Sequence, residues 1–115
     1  MNRVHVDTSN LSRSCNEALI LGSLRGGPRH GYQLALEIEE RSKGMFGFNH
    51  GTLYPILHRL EKAGLISGSW SADGGGRRRK SYELTRKGKK HTDALLEAWD
   101  AFFDAFHEAV KGEGP

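Results

Sequence analysis

Seven residues in the second half of the chain, Gly74-Gly-Gly-Arg-Arg-Arg-Lys80, join three glycines to four consecutive cations. A loop so free in its backbone dihedrals can follow a curved surface. Its cations can displace the counterions around a polyanion, each phosphate contact steepening the salt dependence of binding. A second set lies between Asn49 and Gly64. There Leu53, Ile56, Leu57 and Leu60 have the i, i+3, i+4, i+7 spacing of a buried helix face. The opposite face carries Gly51, Pro55, His58 and Lys62, with Thr52, Tyr54 and Arg59 on its flanks. Small, aromatic, imidazole and basic groups in that arrangement suit close approach to base edges and phosphates. Each set alone also reads as an ordinary solvated surface, but a cationic hairpin tip beside such a helix favours a polyanion contact.

Other chemistry is not expected. The sequence has no Gly-x-Ser-x-Gly, no P-loop and no dinucleotide fingerprint, and its triple glycine precedes arginines rather than a helix. The six histidines, at positions 5, 30, 50, 58, 91 and 107, are scattered. His91 and His107 are too far apart on one helix to share an ion, so a metal would need ligands from two protomers. The one cysteine, Cys15, excludes a disulfide framework and a Cys-x-x-Cys site, and reads as a small buried hydrophobe of a protein in a reducing compartment. No enzyme, metal or other cofactor is expected.

At 115 residues, 37% hydrophobic and 27% charged, the chain has the size and composition of one globular domain with an appendage. The longest aliphatic run, Ala18 to Leu21, is too short for a signal segment or a membrane span, which makes a cytoplasmic protein the expectation. Charge is unevenly placed. Residues 64–91 carry 8 basic and 2 acidic groups, whereas residues 92–115 carry 1 basic and 6 acidic ones, so a basic segment is followed by an acidic tail.

These residues need elements to position them. Leu11, Cys15, Ala18, Leu19 and Leu24 recur at helical spacing up to Gly26-Gly27-Pro28, which ends a first helix. Leu34, Ala35 and Ile38 mark a second from His30 to Arg41. The third runs to Gly64. Because a proline inside a helix removes a hydrogen bond and clashes with the carbonyl four residues back, Pro55 predicts a late start with Thr52 as cap. Leu65–Trp70 and Lys80–Leu84 are rich in strand formers and flank the glycine loop, predicting a two-stranded hairpin. Such a ribbon needs support from the helices through Ile66, Trp70, Tyr82 or Leu84. Thr85 then caps a helix from Arg86 to Lys111, about 39 Å long. The expected fold is α+β and mainly helical: a loose arm over residues 1–11, three helices and a two-stranded wing over residues 12–85, the long helix over residues 86–111, and a short tail over residues 112–115. Three helices followed by a hairpin is the order of a winged helix-turn-helix, whose third helix enters the major groove.

The segments His30-Gly-Tyr-Gln-Leu34, Gly51-Thr-Leu-Tyr-Pro-Ile-Leu-His-Arg-Leu-Glu-Lys-Ala-Gly-Leu-Ile66 and Gly75-Gly-Arg-Arg-Arg-Lys-Ser-Tyr-Glu-Leu-Thr85 carry a specific resemblance. The chain closely resembles the PadR family of transcriptional regulators over about residues 12–111. The resemblance implies a homodimer joined by the C-terminal helix, which binds a palindromic operator on double-stranded DNA and represses transcription. It carries DNA contact over to Thr52, Tyr54, Pro55, His58 and Arg59, and to Arg77, Arg78 and Lys80 on the wing. Lys62 and Arg79 join them by position. Ser81 departs from the family pattern, in which an aromatic residue is common there. The short single C-terminal helix resembles the compact members. A winged helix that docks a partner protein instead of DNA is the competing reading.

On the last helix Leu95, Leu96, Trp99, Phe102, Phe103, Phe106 and Val110 form heptad-spaced rows, a breadth of apolar surface too large to leave wet and the expected dimer interface. In the compact members that this chain resembles, a tryptophan at this place stacks planar drugs in a pore between protomers. That implies Trp99 and Asp100 as effector contacts for a planar hydrophobic or cationic ligand, with Asp104 one turn on adding attraction for a cation. The alternative is that Trp99 and the phenylalanines fill the core and leave no cavity.

Overall fold

Two side-chain caps start the first helix. In the computed structural model, which describes residues 4–72 and 78–112, Asp7 accepts hydrogen bonds from the Ser9 and Asn10 backbone and opens a short 3-10 turn over Thr8–Asn10. Asn10 accepts from the Arg13 N–H and opens α1, Leu11–Ser23. The segment read as a loose arm is partly anchored, since Val4 and Val6 pack against the core. α1 buries Ala18, Ile20 and Leu21, and Cys15 sits half-buried beside them, its thiol pKa pushed up by desolvation.

A 3-10 turn over Leu24–Gly26 and Gly27, at φ 124°, reverse the chain where the Gly-Gly-Pro breaker was expected. The next two residues, Arg29–His30, form a strand, β1. It pairs antiparallel with the second hairpin strand, Arg29 opposite Tyr82 and His30 opposite Ser81. The sheet therefore has three strands in the order β1-β3-β2, where β2 is Ile66–Ala72 and β3 is Arg78–Leu84. This corrects the expected two-stranded ribbon: β1 is too short to leave a periodic signal, yet it satisfies main-chain groups on the outer edge of β3. The hairpin strands also run further than expected, because pairing continues through Ser71 opposite Arg79 and Ala72 opposite Arg78.

α2 spans Gly31–Arg41 and α3 spans His50–Lys62. The late start expected for α3 is not what forms. Asn49, not Thr52, is the cap, its side chain accepting the Thr52 N–H at 2.9 Å. Pro55 is accommodated because the one bond it cannot make would have ended on the carbonyl of exposed Gly51, near the helix start. At the other end Gly64, at φ 79°, lets the Leu65 N–H reach the Leu60 carbonyl at 3.0 Å and closes the helix.

The core joins Ile20 and Leu21 of α1, Leu34 of α2, Leu53 and Leu57 of α3, and Ile66 of β2. Tyr82 and Leu84 lean on it as expected. Trp70 does not: it is 57% exposed, lying further out along the ribbon than Tyr82, opposite Lys80. α4, Arg86–Lys111, crosses α1 and buries Gly88, Thr92, Leu95 and Trp99. This is the winged helix with a long terminal helix that the sequence predicts. No helix among the described residues is long and apolar enough to cross a membrane.

Candidate nucleic-acid interface

α3 presents its predicted polar face to solvent. Gly51, Thr52, Tyr54, Pro55, His58 and Lys62 are all exposed, while Leu53, Ile56, Leu57 and Leu60 are buried beneath them. The helix is fixed at both ends. Asn49 caps its start. The carbonyls just past its end accept from α4 and the residue before it: Lys87 Nζ donates to the Ala63 carbonyl at 3.0 Å, and Thr85 Oγ1 to that of Gly64 at 2.6 Å.

Tyr54 rests its ring against Gly31, at the start of α2. A Cβ at position 31 would lie 2.8 Å from the Tyr54 hydroxyl oxygen and 3.1 Å from ring carbons, so the glycine of the His30-Gly-Tyr segment makes room for this side chain. His50 meets the same ring edge-on at 5.5 Å. Tyr54 is thus held in one place while remaining 39% exposed.

The two flanks of α3 each hold an ion pair. On one, Arg59 reaches Glu17 of α1 at 3.4 Å, and Arg13 shares that carboxylate at 3.7 Å. Arg59, expected among the DNA contacts, therefore spends its charge against α1, with its Nε buried and unpartnered. On the other flank Glu61 accepts from Lys80 of the wing at 2.9 Å, and this hydrogen bond holds the Lys80 ammonium above its ordinary pKa.

The wing's described cations lie on opposite faces. Arg78 sits over the Trp70 ring at 5.4 Å, with Lys80 on the same face. Arg79 turns the other way, donating to the Tyr32 hydroxyl at 2.8 Å with its guanidinium 5.3 Å from that ring's centre. Tyr32 in turn stacks on His30, the rings 5° from parallel at 6.1 Å. Gly74 to Arg77, the tip on which the cationic-loop reading was founded, fall outside the described residues. Sequence reasoning missed Glu17, Tyr32, Glu61 and Trp70. Tyr32 and Glu61 lie in segments of family resemblance and Trp70 in a predicted strand, but the roles of Glu17, Tyr32 and Glu61 come from partners 42, 47 and 19 positions away in the chain.

Along α4 the expected apolar rows divide. Leu95 and Trp99 are buried within the protomer, Leu96 and Phe102 are half-buried, and Phe103, Phe106 and Val110 are exposed. Phe102 and Phe103 flank the Trp99 indole at 5.5 and 5.4 Å. Asp100 is exposed. No group of three or more metal-binding side chains occurs among the described residues.

The comparisons with known proteins agree with this geometry. A protein of Lysinibacillus sphaericus, itself uncharacterized, is 31% identical over 106 residues, which is 90% of this chain and 97% of that protein. A transcriptional regulator from Clostridium thermocellum is similar in structure at 26% identity and a TM-score of 0.79, over 89% of this chain and 99% of that one. A PadR family transcriptional regulator from Eggerthella lenta is similar at 28% identity and a TM-score of 0.76, over 91% of this chain and 89% of that one. Residues 20–94 match the model of the transcriptional regulator PadR-like family. With the winged helix, the exposed face of α3 and this match in hand, the chain belongs to the PadR-like family of transcriptional regulators.

Proposed function

We propose that the protein is a repressor that binds a palindromic operator as a homodimer, with α3 in the major groove and the wing on the flanking phosphates. The observation that carries this reading is the exposed face of α3, Gly51, Pro55, His58 and Lys62, flanked by Tyr54 and bordered by a wing that bears Arg78 and Lys80. Small residues at 51 and 55 allow the backbone close to the groove floor, and His58 and Lys62 offer donors to base edges and phosphates. Two protomers would read half-sites about one helical turn apart. Exposed Phe103, Phe106 and Val110 support α4 as the surface that joins them, since such side chains rarely stay wet together.

The test compares two duplexes across a salt series: one enriched from a random pool by the wild-type protein, and one of random sequence. His58→Ala should erode the preference for the enriched duplex. Arg78→Ala should weaken binding to both alike and flatten the salt slope by about one phosphate contact, roughly 0.9. A His58→Ala protein with undiminished preference would remove α3 as the reading element.

The second part of the proposal is a response to a planar hydrophobic or cationic ligand. Trp99 is only 7% exposed within the protomer. The ligand's walls would therefore be Phe102 and Phe103 beside it, with Asp100 and Asp104 supplying charge. Planar cationic dyes titrated against Trp99 fluorescence test this, with Trp99→Phe as the control for signal from Trp70. Dyes that neither quench the Trp99 component nor release the enriched duplex would leave the aromatic cluster as core alone.

A further inference from the structure

The Lys80 and Glu61 side chains are 25% and 30% exposed, and their 2.9 Å contact ties β3 to α3. The lysine stem crosses Gly68 on the facing strand. A methyl group at position 68 would run into Lys80 Cε and would stand 3.2 Å from both Glu61 Oε2 and Tyr82 Cε1. The Trp70 and Tyr82 rings flank the ammonium at 5.8 and 5.3 Å. The glycine and the two rings leave the lysine a channel that leads to the carboxylate.

We propose that Glu61 is a specificity-determining residue, which competes with DNA phosphate for Lys80 and thereby lowers affinity for duplexes that α3 does not fit. This rests on the DNA-binding reading given above. Glu61 belongs to α3 and Lys80 to the wing, so the pair couples the helix that reads sequence to the hairpin that touches backbone. The pair is partly open to water, and such pairs contribute little net stability, so a well-placed phosphate can take the lysine over. On an ill-fitting duplex no phosphate is so placed. Lys80 then stays with Glu61, and the carboxylate's own charge repels the backbone nearby. Unfavourable charge set against the wrong partner is one of the two ways to obtain specificity.

Glu61→Gln keeps the side chain's length and an acceptor for Lys80 but removes the charge. With the full-length protein and the two duplexes above, followed by fluorescence anisotropy across a salt series, random DNA should bind several-fold tighter. Its salt slope should steepen by about 0.9, the value of one added phosphate contact. Enriched DNA should gain less, so the preference falls. Lys80→Ala should flatten the slope on enriched DNA by about 0.9 and, on random DNA, should abolish the gain that Glu61→Gln gives. Gly68→Ala, which displaces the lysine without altering charge, should move random-DNA binding in the same direction as Glu61→Gln. Weaker binding to both duplexes with an unchanged slope would mean that Glu61 only braces the wing, and equal gains on both would remove its role in specificity. Either result overturns the proposal while leaving DNA binding itself intact. A wild-type protein that enriches no duplex from the pool and does not bind random DNA would overturn the DNA-binding reading and this inference with it.

Discussion

The two halves of α4 carry one pattern and meet two fates. Gly88, Thr92, Leu95 and Trp99 follow one another at three- and four-residue steps and are all buried by the protomer. Phe103, Phe106 and Val110 continue the same stripe at the same steps and are exposed. The boundary falls where α4 outruns the body: α1 and β3 underlie the first half, and the molecule is 64 Å along its longest axis but 36 and 23 Å across the others. Periodicity thus states that a helix face needs covering. What covers it is decided by how far the neighbouring elements reach.

The largest effect that tests this contrast is in the covered half. Trp99→Ala should cost about 3–5 kcal/mol of protomer stability, the range for truncating a large buried aromatic, and the loss should not depend on protein concentration. Phe106→Ala should cost an isolated protomer far less, because a side chain 54% exposed has little packing to lose. Urea unfolding of both variants at several concentrations checks the pair. Equal, concentration-independent losses would mean that the distal stripe is already covered within one protomer.

Replacing Phe103, Phe106 and Val110 together with serine should act on assembly instead. Sedimentation should report a folded monomer, and the melting temperature should lose the concentration dependence that an associating protein has. A triple variant that remains a dimer would place the protomer contact elsewhere. A protein that is monomeric before any substitution would leave the distal aromatics to another partner.

The same contrast explains what the sequence could reveal. Element types were legible wherever a local pattern dictated them: the leucine stripe of α3, the glycine stop at Gly64, the threonine cap of α4. The polar face of α3 followed from the stripe behind it. Most of what escaped was decided by partners distant in the chain. β1 has two residues and exists only because β3 offers an edge. The start of α3 turned on Asn49 out-competing Thr52 as cap, a choice between two capable residues. Arg59 sits on the flank of the polar face, yet its guanidinium turns to Glu17, forty-two positions away. Lys80 reads as a free cation in a basic run, but the fold sets Glu61 in front of it. The helices and the hairpin were written locally; β1 and the commitments of charged side chains were not.

The smallest effect concerns the junction between the end of α3 and α4, where the covered half begins. Thr85 does two jobs with one hydroxyl. Its Oγ1 accepts the Gly88 N–H at 2.9 Å, capping α4, and donates to the Gly64 carbonyl at 2.6 Å, at the end of α3. Its own N–H adds a third tie, to the Leu65 carbonyl at 3.1 Å, which no side-chain substitution short of proline removes. Thr85→Ala should therefore cost about 1 kcal/mol, the ordinary value of a lost N-cap, rather than unfasten the two helices. Thr85→Ser keeps the hydroxyl and should recover nearly all of it. Thr85→Val keeps the shape without the hydroxyl and should not. Because α4 stays docked through Leu95 and Trp99, none of the three should alter the oligomeric state. Urea midpoints for the three variants, read beside their sedimentation, check this. A valine variant as stable as wild type would mean that packing at position 85 matters and the hydroxyl's two hydrogen bonds do not. A loss of assembly in the alanine variant would mean that the distal stripe is aimed by this junction and not by the packing of the covered half.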